Sequence, residues 1–355
     1  MAQRLNKIHI EGYKSIKHLD IELRDLNVLI GANGSGKSNF IGIFRFLRHL
    51  VEQRLQITVR EAGGAERLLH YGSRETPEMM INLEFSPHAY QVTLKPSNDD
   101  GFFIVEENVG LTSPNTAAPI RTRLGTGEPE SRLIKGAPEV YQFLNSWRVY
   151  HFHDTSQHAA VKKNGAINDN LFLREDAGNL AAFLYRMKVV HPKHYERIVK
   201  IIQLVVPMFK DFLLRPNTFN EEMIRIEWLD KDSDYVFTAS DLSDGSLRFI
   251  CMAAMLLQPN CPDLILLDEP ELGLHPSAVT ILAGLLRKTA HISQLIISTQ
   301  SAELVSEFEA DNIIVVEHEA RQSTFKRLDI PKLSYWLGEY SLGEIWDKNI
   351  IGGRP

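Results

Sequence analysis

Apolar and polar residues alternate near the beginning of the chain and then give way to a short apolar run. Residues 7–13 and 19–23 alternate, which predicts two half-buried strands. The run over 26–30 is typical of a central strand that is covered on both faces. Apolar residues at helical spacing over 40–51 then predict a helix, and a glycine-rich loop separates this helix from the strand.

The pattern is looser from about residue 58 to 230 and becomes regular again afterwards. Helices and strands alternate from residue 247, which predicts a parallel sheet with covering helices. The elements predicted for the middle are short antiparallel strands over 79–85, 91–94 and 102–106, a mobile loop over 112–138 that is rich in Gly, Pro, Ser and Thr, and helices within 179–206.

The composition is that of an ordinary globular protein, since 44% of the 355 residues are apolar and 24% are charged. No apolar run reaches the roughly 18 residues of a membrane span, and the first residues lack the apolar segment of a signal peptide. Two cysteines, Cys251 and Cys261, indicate core thiols in a reducing compartment. We therefore expect a cytoplasmic protein with no membrane partner. Its net charge of −6 argues mildly against a dedicated nucleic-acid binder.

The segment GANGSGKS, from Gly31 to Ser38, matches the phosphate-binding pattern G-x-x-x-x-G-K-[ST] between a predicted strand and a predicted helix. Glycines let backbone N–H groups converge on phosphates, and the helix N-terminus adds favourable partial charge. We expect Lys37 to neutralise the β- and γ-phosphates of ATP and the Ser38 hydroxyl to bind Mg²⁺. The nucleotide-binding residues predicted from this motif are Asn33, Gly34, Ser35, Gly36, Lys37, Ser38 and Asn39.

An apolar strand over 264–267 ends in two carboxylates, Asp268 and Glu269. The carboxyl ends of parallel strands meet at one edge of a sheet, so we expect these carboxylates beside the phosphate loop. Asp268 is predicted to hold Mg²⁺, directly or through water. Glu269 is predicted to orient or deprotonate the attacking water, which makes Glu269 and Lys37 candidate catalytic residues.

Residues 242–248, LSDGSLR, come shortly before the acidic strand and resemble the signature motif of ABC-class ATPases. In that motif a serine and a glycine at a helix N-terminus hold the γ-phosphate bound by the opposite subunit. The resemblance implies that Ser243 and Gly245 contact ATP in trans. Asp244 and Ser246 depart from the LSGGQ form of transporters, and a plain N-cap and turn is the alternative interpretation.

The order of the three motifs resembles the RecF/SMC/OLD branch of ABC-class P-loop ATPases, specifically its compact bacterial members without a Toprim domain. Further likeness lies in residues 10–16 (IEGYKSI), 271–276 (ELGLHP) and 341–355. Within the first of these stretches, Lys14 is a candidate to reach the nucleotide or DNA, with a loop-capping role as the equal alternative. The resemblance also puts Gln300 at the position of the switch histidine. Glutamine orients water but accepts no proton at neutral pH, which implies slow turnover.

The fold implied by this resemblance is an α/β ABC-type head with a mixed N-terminal β-subdomain, a central parallel sheet and an inserted α/β middle segment. A coiled-coil arm is not expected, because no heptad pattern is sustained. A Toprim nuclease is not expected either. The predicted segments are 1–60 with the phosphate loop, 61–230 as the inserted lobe, 231–330 with the signature, acidic strand and switch position, and 331–355 as a tail packed on the head.

The leading functional hypothesis is an ATPase whose two copies enclose two ATP molecules head to tail, as a homodimer that is ATP-dependent or constitutive, or as a higher oligomer. In this branch such engines serve DNA repair or anti-phage defence, here with a separately encoded effector protein. DNA is a further candidate partner. The alternatives are a RecF-like ATPase that acts directly on DNA and a slow ATP-binding scaffold for another protein. A transporter subunit ranks lower because of the altered signature.

Two histidines, His151 and His153, lie on one face of a predicted strand beside Asp154, a spacing that suits a zinc site. Structural hydrogen bonding is the commoner fate of such residues, and we expect it here. Gln157 is the nearest candidate for the Q-loop glutamine of ABC enzymes.

Overall fold

The structure is a computed structural model that describes residues 3–111 and 120–354. Its strands are β1 (Lys7–Tyr13), β2 (Ile16–Glu22), β3 (Leu26–Ile30), β4 (Met79–Phe85), β5 (His88–Pro96), β6 (Phe102–Leu111), β7 (Ile120–Gly125), β8 (Arg148–Tyr150), β9 (Gly165–Ala166), β10 (Phe209–Phe212), β11 (Met223–Ile224), β12 (Glu227–Asp230), β13 (Val236–Thr238), β14 (Leu264–Asp268), β15 (Gln294–Thr299), β16 (Ile313–Glu319) and β17 (Gln322–Arg327). Its helices are α1 (Lys37–Val51), α2 (Leu55–Glu61), α3 (Ala65–Leu68), α4 (Leu133–Gly136), α5 (Pro138–Ser146), α6 (Leu180–Val190), α7 (Pro192–Val205), α8 (Asp244–Leu256), α9 (Pro276–Ala290), α10 (Ala302–Ser306), α11 (Ile330–Glu339) and α12 (Leu342–Asp347).

The chain divides into two units that each draw on several stretches of sequence. Unit 1 comprises Met1–Val149, Pro262–Leu266 and Ser293–Pro355, and unit 2 comprises Tyr150–Cys261 and Leu267–Ile292. The boundaries of these units differ from those of the predicted segments. Residues 61–149 belong to unit 1, whereas the prediction assigns them to the inserted lobe over 61–230.

An antiparallel sheet in unit 1 has the strand order β2-β1-β4-β5-β6-β7. The alternating pattern of β1 explains its two faces. Ile8 and Ile10 are fully buried in the core, whereas Lys7, His9 and Glu11 point to the other, more accessible face. The short strands predicted over 91–94 and 102–106 are present and extend further, as β5 and β6.

The mobile loop predicted over 112–138 is wrong for most of residues 120–138. Residues 112–119 lie outside the described part of the chain, but Ile120–Gly125 forms β7 on the edge of β6, and α4 and α5 follow. Pairing with a long neighbouring strand outweighs the loop-like composition. The Arg123 guanidinium donates to the Glu106 carboxylate at 2.8 Å across this pair.

The second large sheet has the order β17-β16-β3-β15-β14-β8, and its predicted parallel core is confirmed. Within unit 1, β3 runs parallel to both neighbours, with Thr299 of β15 and Val315 of β16 opposite Ile30. All five residues of β3 are buried, as its apolar run predicts. The helix α1 packs on the sheet and carries buried aromatic residues. The ring of one of them, Phe44, lies 5.4 Å from the ring of Trp147, which follows α5.

Unit 2 is organised around α8, which contacts α6, α7 and α9. Nine of its thirteen residues are buried, from Leu247 to Leu256. A three-stranded antiparallel sheet, β10-β12-β13, and the β9–β11 pair complete the unit. Across the described parts of both units, no helix combines the length and apolar character needed to cross a membrane.

Candidate nucleotide site

The phosphate loop in unit 1 ends at Gly36, where α1 begins. Gly36 has a φ of 116°, and a Cβ atom there would overlap the Ser323 hydroxyl and lie 2.7 Å from the Ser323 Cβ. Only glycine avoids both the left-handed backbone penalty and this collision. Gly36 also offers no side chain to cap the helix, so the N-cap position supplies no side-chain acceptor for the first N–H groups of α1.

Lys37, the first residue of α1, turns its side chain back into the loop. Its ammonium donates to the carbonyl oxygens of Gly31 at 2.5 Å and Ala32 at 3.0 Å, and the residue is almost fully buried. Ser35 is buried beside it, and its Oγ makes no hydrogen bond among the described residues. The space beside Gly34 is open. A buried cation, an unused hydroxyl and a helix N-terminus around one concave loop fit a polyphosphate chain.

Three hydroxyl and amide groups support this loop from unit 1. Asn39 donates from Nδ2 to the Ser15 hydroxyl at 2.7 Å, and Ser15 lies 2.8 Å from the Ser323 hydroxyl. Ser323 in turn donates to the backbone carbonyl of Ser35 at 2.6 Å. The predicted nucleotide residue Asn39 therefore has a structural partner, and Ser15 and Ser323 are supporting residues that the motif alone does not reveal.

Two further predicted residues of unit 1 lie at the ends of strands. Gln300 follows β15 directly, and because Thr299 is opposite Ile30, it leaves the sheet at the same level as Gly31. Lys14 forms the turn between β1 and β2, where its N–H donates to the Leu68 carbonyl and its own carbonyl accepts from His70 Nδ1 at 2.7 Å.

The Lys14 side chain is partly enclosed. Its ammonium lies 5.4 Å from the centre of the Tyr13 ring. Burial, and secondarily the positive charge of Arg45, lower the pKa of Lys14 from its ordinary value. The backbone contacts of this residue match the loop-capping alternative, and its assignment to the nucleotide stays a prediction.

In unit 2 the acidic strand ends with an unusual backbone. Glu269 has a φ of 44°, in the left-handed region that non-glycine residues seldom adopt. Such conformations cost on the order of 1–3 kcal/mol and are concentrated at functional sites. The preceding residue is held from the side, because His153 Nε2 donates to the Asp268 carbonyl at 2.7 Å. Asp268 and Glu269 are both half-buried.

The predicted signature also begins a helix, α8 of unit 2. Ser243 is its N-cap, and its Oγ accepts the Ser246 N–H at 3.2 Å, while Asp244 lies in the first turn. Gly245 has a packing reason to be glycine, because a Cβ atom there would overlap the Gly273 carbonyl oxygen. The helix start therefore packs directly on the ELGLHP segment.

Arg248, the last residue of LSDGSLR, is a residue whose importance the sequence reasoning missed. Its guanidinium donates to three backbone carbonyls, those of Leu272 at 2.8 Å, His153 at 2.9 Å and Phe152 at 3.2 Å. One side chain thus joins α8 to the segment after the acidic strand and to the segment that holds Asp268. The only sequence signal was an arginine at the end of the motif.

The histidine pair and the two cysteines lie in unit 2. The rings of His151 and His153 lie edge to face at 6.3 Å, the backbone N–H of His151 donates to the Glu175 carbonyl, and the His153 ring donates to the Asp268 carbonyl. Burial raises the pKa of the Cys251 thiol to about 12 and that of Cys261 to about 11. Such thiols stay protonated at neutral pH.

Comparison with known proteins agrees with this architecture. The family described as "AAA domain, putative AbiEii toxin, Type IV TA system" matches residues 26–306, more than three quarters of the chain. The chain belongs to this AAA family. The match extends from the first residue of β3 to the end of α10, and so includes the phosphate loop, signature and acidic strand. No curated protein matches the chain.

Two solved structures share the fold of this AAA-family chain. One, titled "Crystal structure of the SmcHead bound to the C-winged helix domain of ScpA", has a TM-score of 0.57 at 17% identity, over 93% of this chain and 99% of that one. The other is an Smc head domain with an extended coiled coil, bound to the C-terminal domain of ScpA and derived from Pyrococcus furiosus. Its TM-score is 0.60 at 14% identity, over 95% of this chain and 99% of that one. The predicted RecF/SMC-like, ABC-class P-loop ATPase fold is confirmed.

Proposed function

We propose that this AAA-family chain hydrolyses ATP with Mg²⁺ as a head-to-tail homodimer that encloses two nucleotides, and that dimer closure switches a separately encoded effector protein. The observation that carries the proposal is the phosphate loop itself. Lys37 is buried with its ammonium inside the loop, next to a helix start without a side-chain cap. A buried ammonium stabilises the folded chain most when an anion neutralises it.

The proposed roles follow the motifs. The loop residues Asn33 to Asn39 bind the phosphates, and Lys14 is assigned to the same nucleotide. Ser38 and Asp268 supply the hydroxyl and carboxylate oxygens that Mg²⁺ prefers, and the ion would neutralise charge on the β- and γ-phosphates. Glu269 accepts a proton from the attacking water or orients it, and its left-handed backbone is consistent with a position selected for chemistry.

Sharing of the site between two copies rests on the signature helix. Ser243 Oγ accepts the Ser246 N–H at 3.2 Å and donates to the Ser246 hydroxyl at 2.8 Å. Both groups are exposed, and a hydroxyl can rotate, so a phosphate oxygen of the other copy would replace Ser246 Oγ as the acceptor. Gly245 lets the helix start pack on the ELGLHP segment. We propose that Ser243 and Gly245 contact the γ-phosphate held by the other copy, so that neither copy has a complete site alone.

The cellular role that we propose is anti-phage defence or DNA repair. The family description names a putative toxin of a type IV toxin–antitoxin system, which supports a role in anti-phage defence. The two similar Smc heads are each bound to a domain of ScpA, which supports the general idea that heads of this fold act on a separate protein. We do not extend ScpA itself to this chain.

The proposal is tested by Glu269→Gln, which keeps the side chain's shape but removes its basicity. With saturating ATP and Mg²⁺ this variant should accumulate as a closed dimer in multi-angle light scattering, while its turnover falls by about 10²–10⁴. The control is the double variant Lys37→Ala/Glu269→Gln, which should bind no ATP and gain no mass. If Glu269→Gln has the same mass with and without ATP, the nucleotide-sandwich dimer is wrong.

Gln300 favours a second function, that of a slow ATP-binding scaffold. Glutamine offers an amide and cannot take up a proton at neutral pH, so it supports water orientation but not acid–base exchange. Replacing Gln300 with His should raise the basal turnover if the switch position limits hydrolysis. The scaffold function instead predicts negligible turnover in both proteins, whether or not DNA or an effector is added.

A further inference from the structure

The outward face of the β1–β2 hairpin carries three metal-ligating side chains that the nucleotide site does not use. His9 and Glu11 are two residues apart on β1, and His18 stands directly opposite Glu11 on β2. The buried Ile8 and Ile10 occupy the other face, so the three ligand side chains do not displace any core residue. The three ligand atoms all lie within 4.8 Å of one another.

The spacing of these atoms is that of a coordination shell. Glu11 Oε1 lies 3.1 Å from His9 Nε2 and 3.6 Å from His18 Nδ1. A tetrahedral zinc site with bonds of about 2.0–2.2 Å has ligand-to-ligand edges of about 3.3–3.6 Å. Small rotations of the more exposed Glu11 and His18 side chains would therefore bring the three atoms onto one ion. The two imidazole rings already lie edge to face, with centres 5.1 Å apart.

The protein holds part of this arrangement in place. The His9 side chain is only 18% exposed, whereas that of His18 is 60% exposed and leaves one side of the group open to solvent. The neighbouring carboxylate, Asp20, is opposite His9 but is paired with Lys7 at 2.9 Å. We therefore do not count Asp20 among the ligands, and the three atoms that lie close together belong to His9, Glu11 and His18 alone. The donor set is thus two imidazoles and one carboxylate with room for a water molecule.

We propose that His9, Glu11 and His18 form a binding site for a divalent transition metal of the zinc class. Two nitrogens and one oxygen with an open fourth position suit zinc, cobalt or nickel, whereas Mg²⁺ and Ca²⁺ prefer oxygen ligands alone. The site is separate from the proposed Mg²⁺ ligands Ser38 and Asp268, and it does not depend on the proposed ATPase function.

A metal at this position would join two strands close to the turn that supports the phosphate loop. Glu11 and His18 are three residues on either side of the Lys14–Ser15 turn, and the Ser15 hydroxyl accepts from Asn39 in α1. Cross-linking β1 to β2 there restrains the turn without touching the nucleotide. The expected role of the metal is therefore structural: it would stabilise the β1–β2 hairpin.

The test is a titration of the full chain, stripped of metal with a chelator, in excess Mg²⁺ so that oxygen sites are filled. Calorimetry with ZnCl₂ should show one site per chain, and Co²⁺ should give the visible absorption bands of a tetrahedral nitrogen–oxygen site. His9→Ala and His18→Ala should each weaken Zn²⁺ binding by at least about 10–100-fold, the range that even outer-shell partners cost. The matched control, His291→Ala, removes an exposed histidine elsewhere and should bind as the wild type does.

Two outcomes would overturn the proposal. One is wild-type protein that binds neither Zn²⁺ nor Co²⁺, which would leave Glu11 as an ordinary hydrogen-bond partner of His9 with His18 nearby. The other is unchanged binding in the His9→Ala/His18→Ala double variant, which would place the metal elsewhere. Thermal unfolding of each metal-free variant checks its folding, and Zn²⁺ should raise the Tm of the wild type but not of the double variant.

Discussion

The two helix starts that the motifs predict differ in how they treat an anion. The phosphate-loop helix begins at Gly36, which has no side chain to cap it, and a buried lysine follows immediately. The signature helix begins at Ser243, which caps the Ser246 N–H, and an aspartate follows in its first turn. One start is built for an external anion, and the other already carries an acceptor and a negative charge of its own.

If both motifs bind phosphate, as we propose, this difference predicts that they bind it with unequal affinity. An anion at the phosphate loop adds a charge that the chain lacks, whereas an anion at the signature meets the Asp244 carboxylate. Each favourable charge at a helix start contributes about 0.3–1 kcal/mol, and a like charge costs a similar amount. In a head-to-tail dimer the signature would then release its nucleotide readily, as a reversible switch requires.

The largest effect is expected from Gly36→Ala. The added Cβ meets the Ser323 hydroxyl at a φ of 116°, so the supporting contact and the loop conformation are lost together. We expect ATP binding to fall by at least about 100-fold and the free energy of unfolding by about 2–4 kcal/mol. Calorimetry with ATP and chemical denaturation measure these two quantities.

Gly34→Ala is the matched control for that variant. Gly34 also has a positive φ, but a Cβ atom there meets nothing within 4 Å. Backbone strain alone should cost about 1–2 kcal/mol of stability. Equal losses of stability in the two variants would show that the Ser323 contact does not explain Gly36.

Gly245→Ala tests the signature start and should leave nucleotide binding by the phosphate loop in place. The new Cβ overlaps the Gly273 carbonyl, so α8 must move away from the ELGLHP segment. We expect turnover to fall at least about tenfold, or 1.4 kcal/mol, and stability to fall by about 1–3 kcal/mol. Gly284→Ala, in open space within α9, should instead stabilise the chain by about 0.4–1 kcal/mol. A stability gain in Gly245→Ala would contradict the packing explanation.

Ser243 separates capping from contact with a nucleotide. Ser243→Ala removes the acceptor for Ser246 N–H and should cost about 1 kcal/mol of stability. Ser243→Asn restores a cap, so its stability should return towards that of the wild type while turnover stays low. Steady-state ATPase assays with denaturation curves provide the readout. Full recovery of turnover in Ser243→Asn would mean that the serine only caps the helix.

The last effect concerns the buried face of α8 and appears only at alkaline pH. Burial raises the pKa of the Cys251 thiol from 9.0 to about 12. The unfolded thiol therefore ionises first as the pH rises through about 9, and the stability conferred by the neutral buried thiol is lost between about pH 9 and 12.

Cys251→Ala removes this contribution. The stability difference between wild type and variant should shrink by about 1.4 kcal/mol from about pH 8 to pH 10, as followed by denaturation at each pH. Cys261 is present in both proteins, so its own contribution to the pH dependence cancels in the difference. A difference that is constant with pH would show that the Cys251 environment does not perturb its ionisation.

The sequence predicts the elements next to the motifs well, because there the local pattern and the tertiary environment agree. The alternation of β1 and the apolar run of β3 each reflect how many faces of the strand are buried. The loop expected over 112–138 fails where β7 pairs with β6, because strand pairing depends on a neighbour that composition does not reveal.

The residues of the candidate site likewise fall into those that the sequence reveals and those that it does not. The loop residues from Gly31 to Ser38 are recognisable because their spacing is set by one short turn. Contacts between distant positions are not recognisable, since no local pattern connects Arg248 to the His153 carbonyl or His18 to His9. Strand register brings the second pair together, and register is a property of the folded sheet.

The hydroxyl of Ser323 has a consequence for how the chain is made. It donates to the carbonyl of Ser35, a residue 288 positions earlier, and β3 pairs only with strands from the last quarter of the sequence. A ribosome adding about 5–20 residues per second completes the phosphate loop's own sequence early and its supports about 15–60 s later. Throughout that interval the nascent chain has no finished loop to offer to ATP. The first motif to be translated is therefore among the last to become competent, and nucleotide could assist the folding of this segment only after its distant supports have been made.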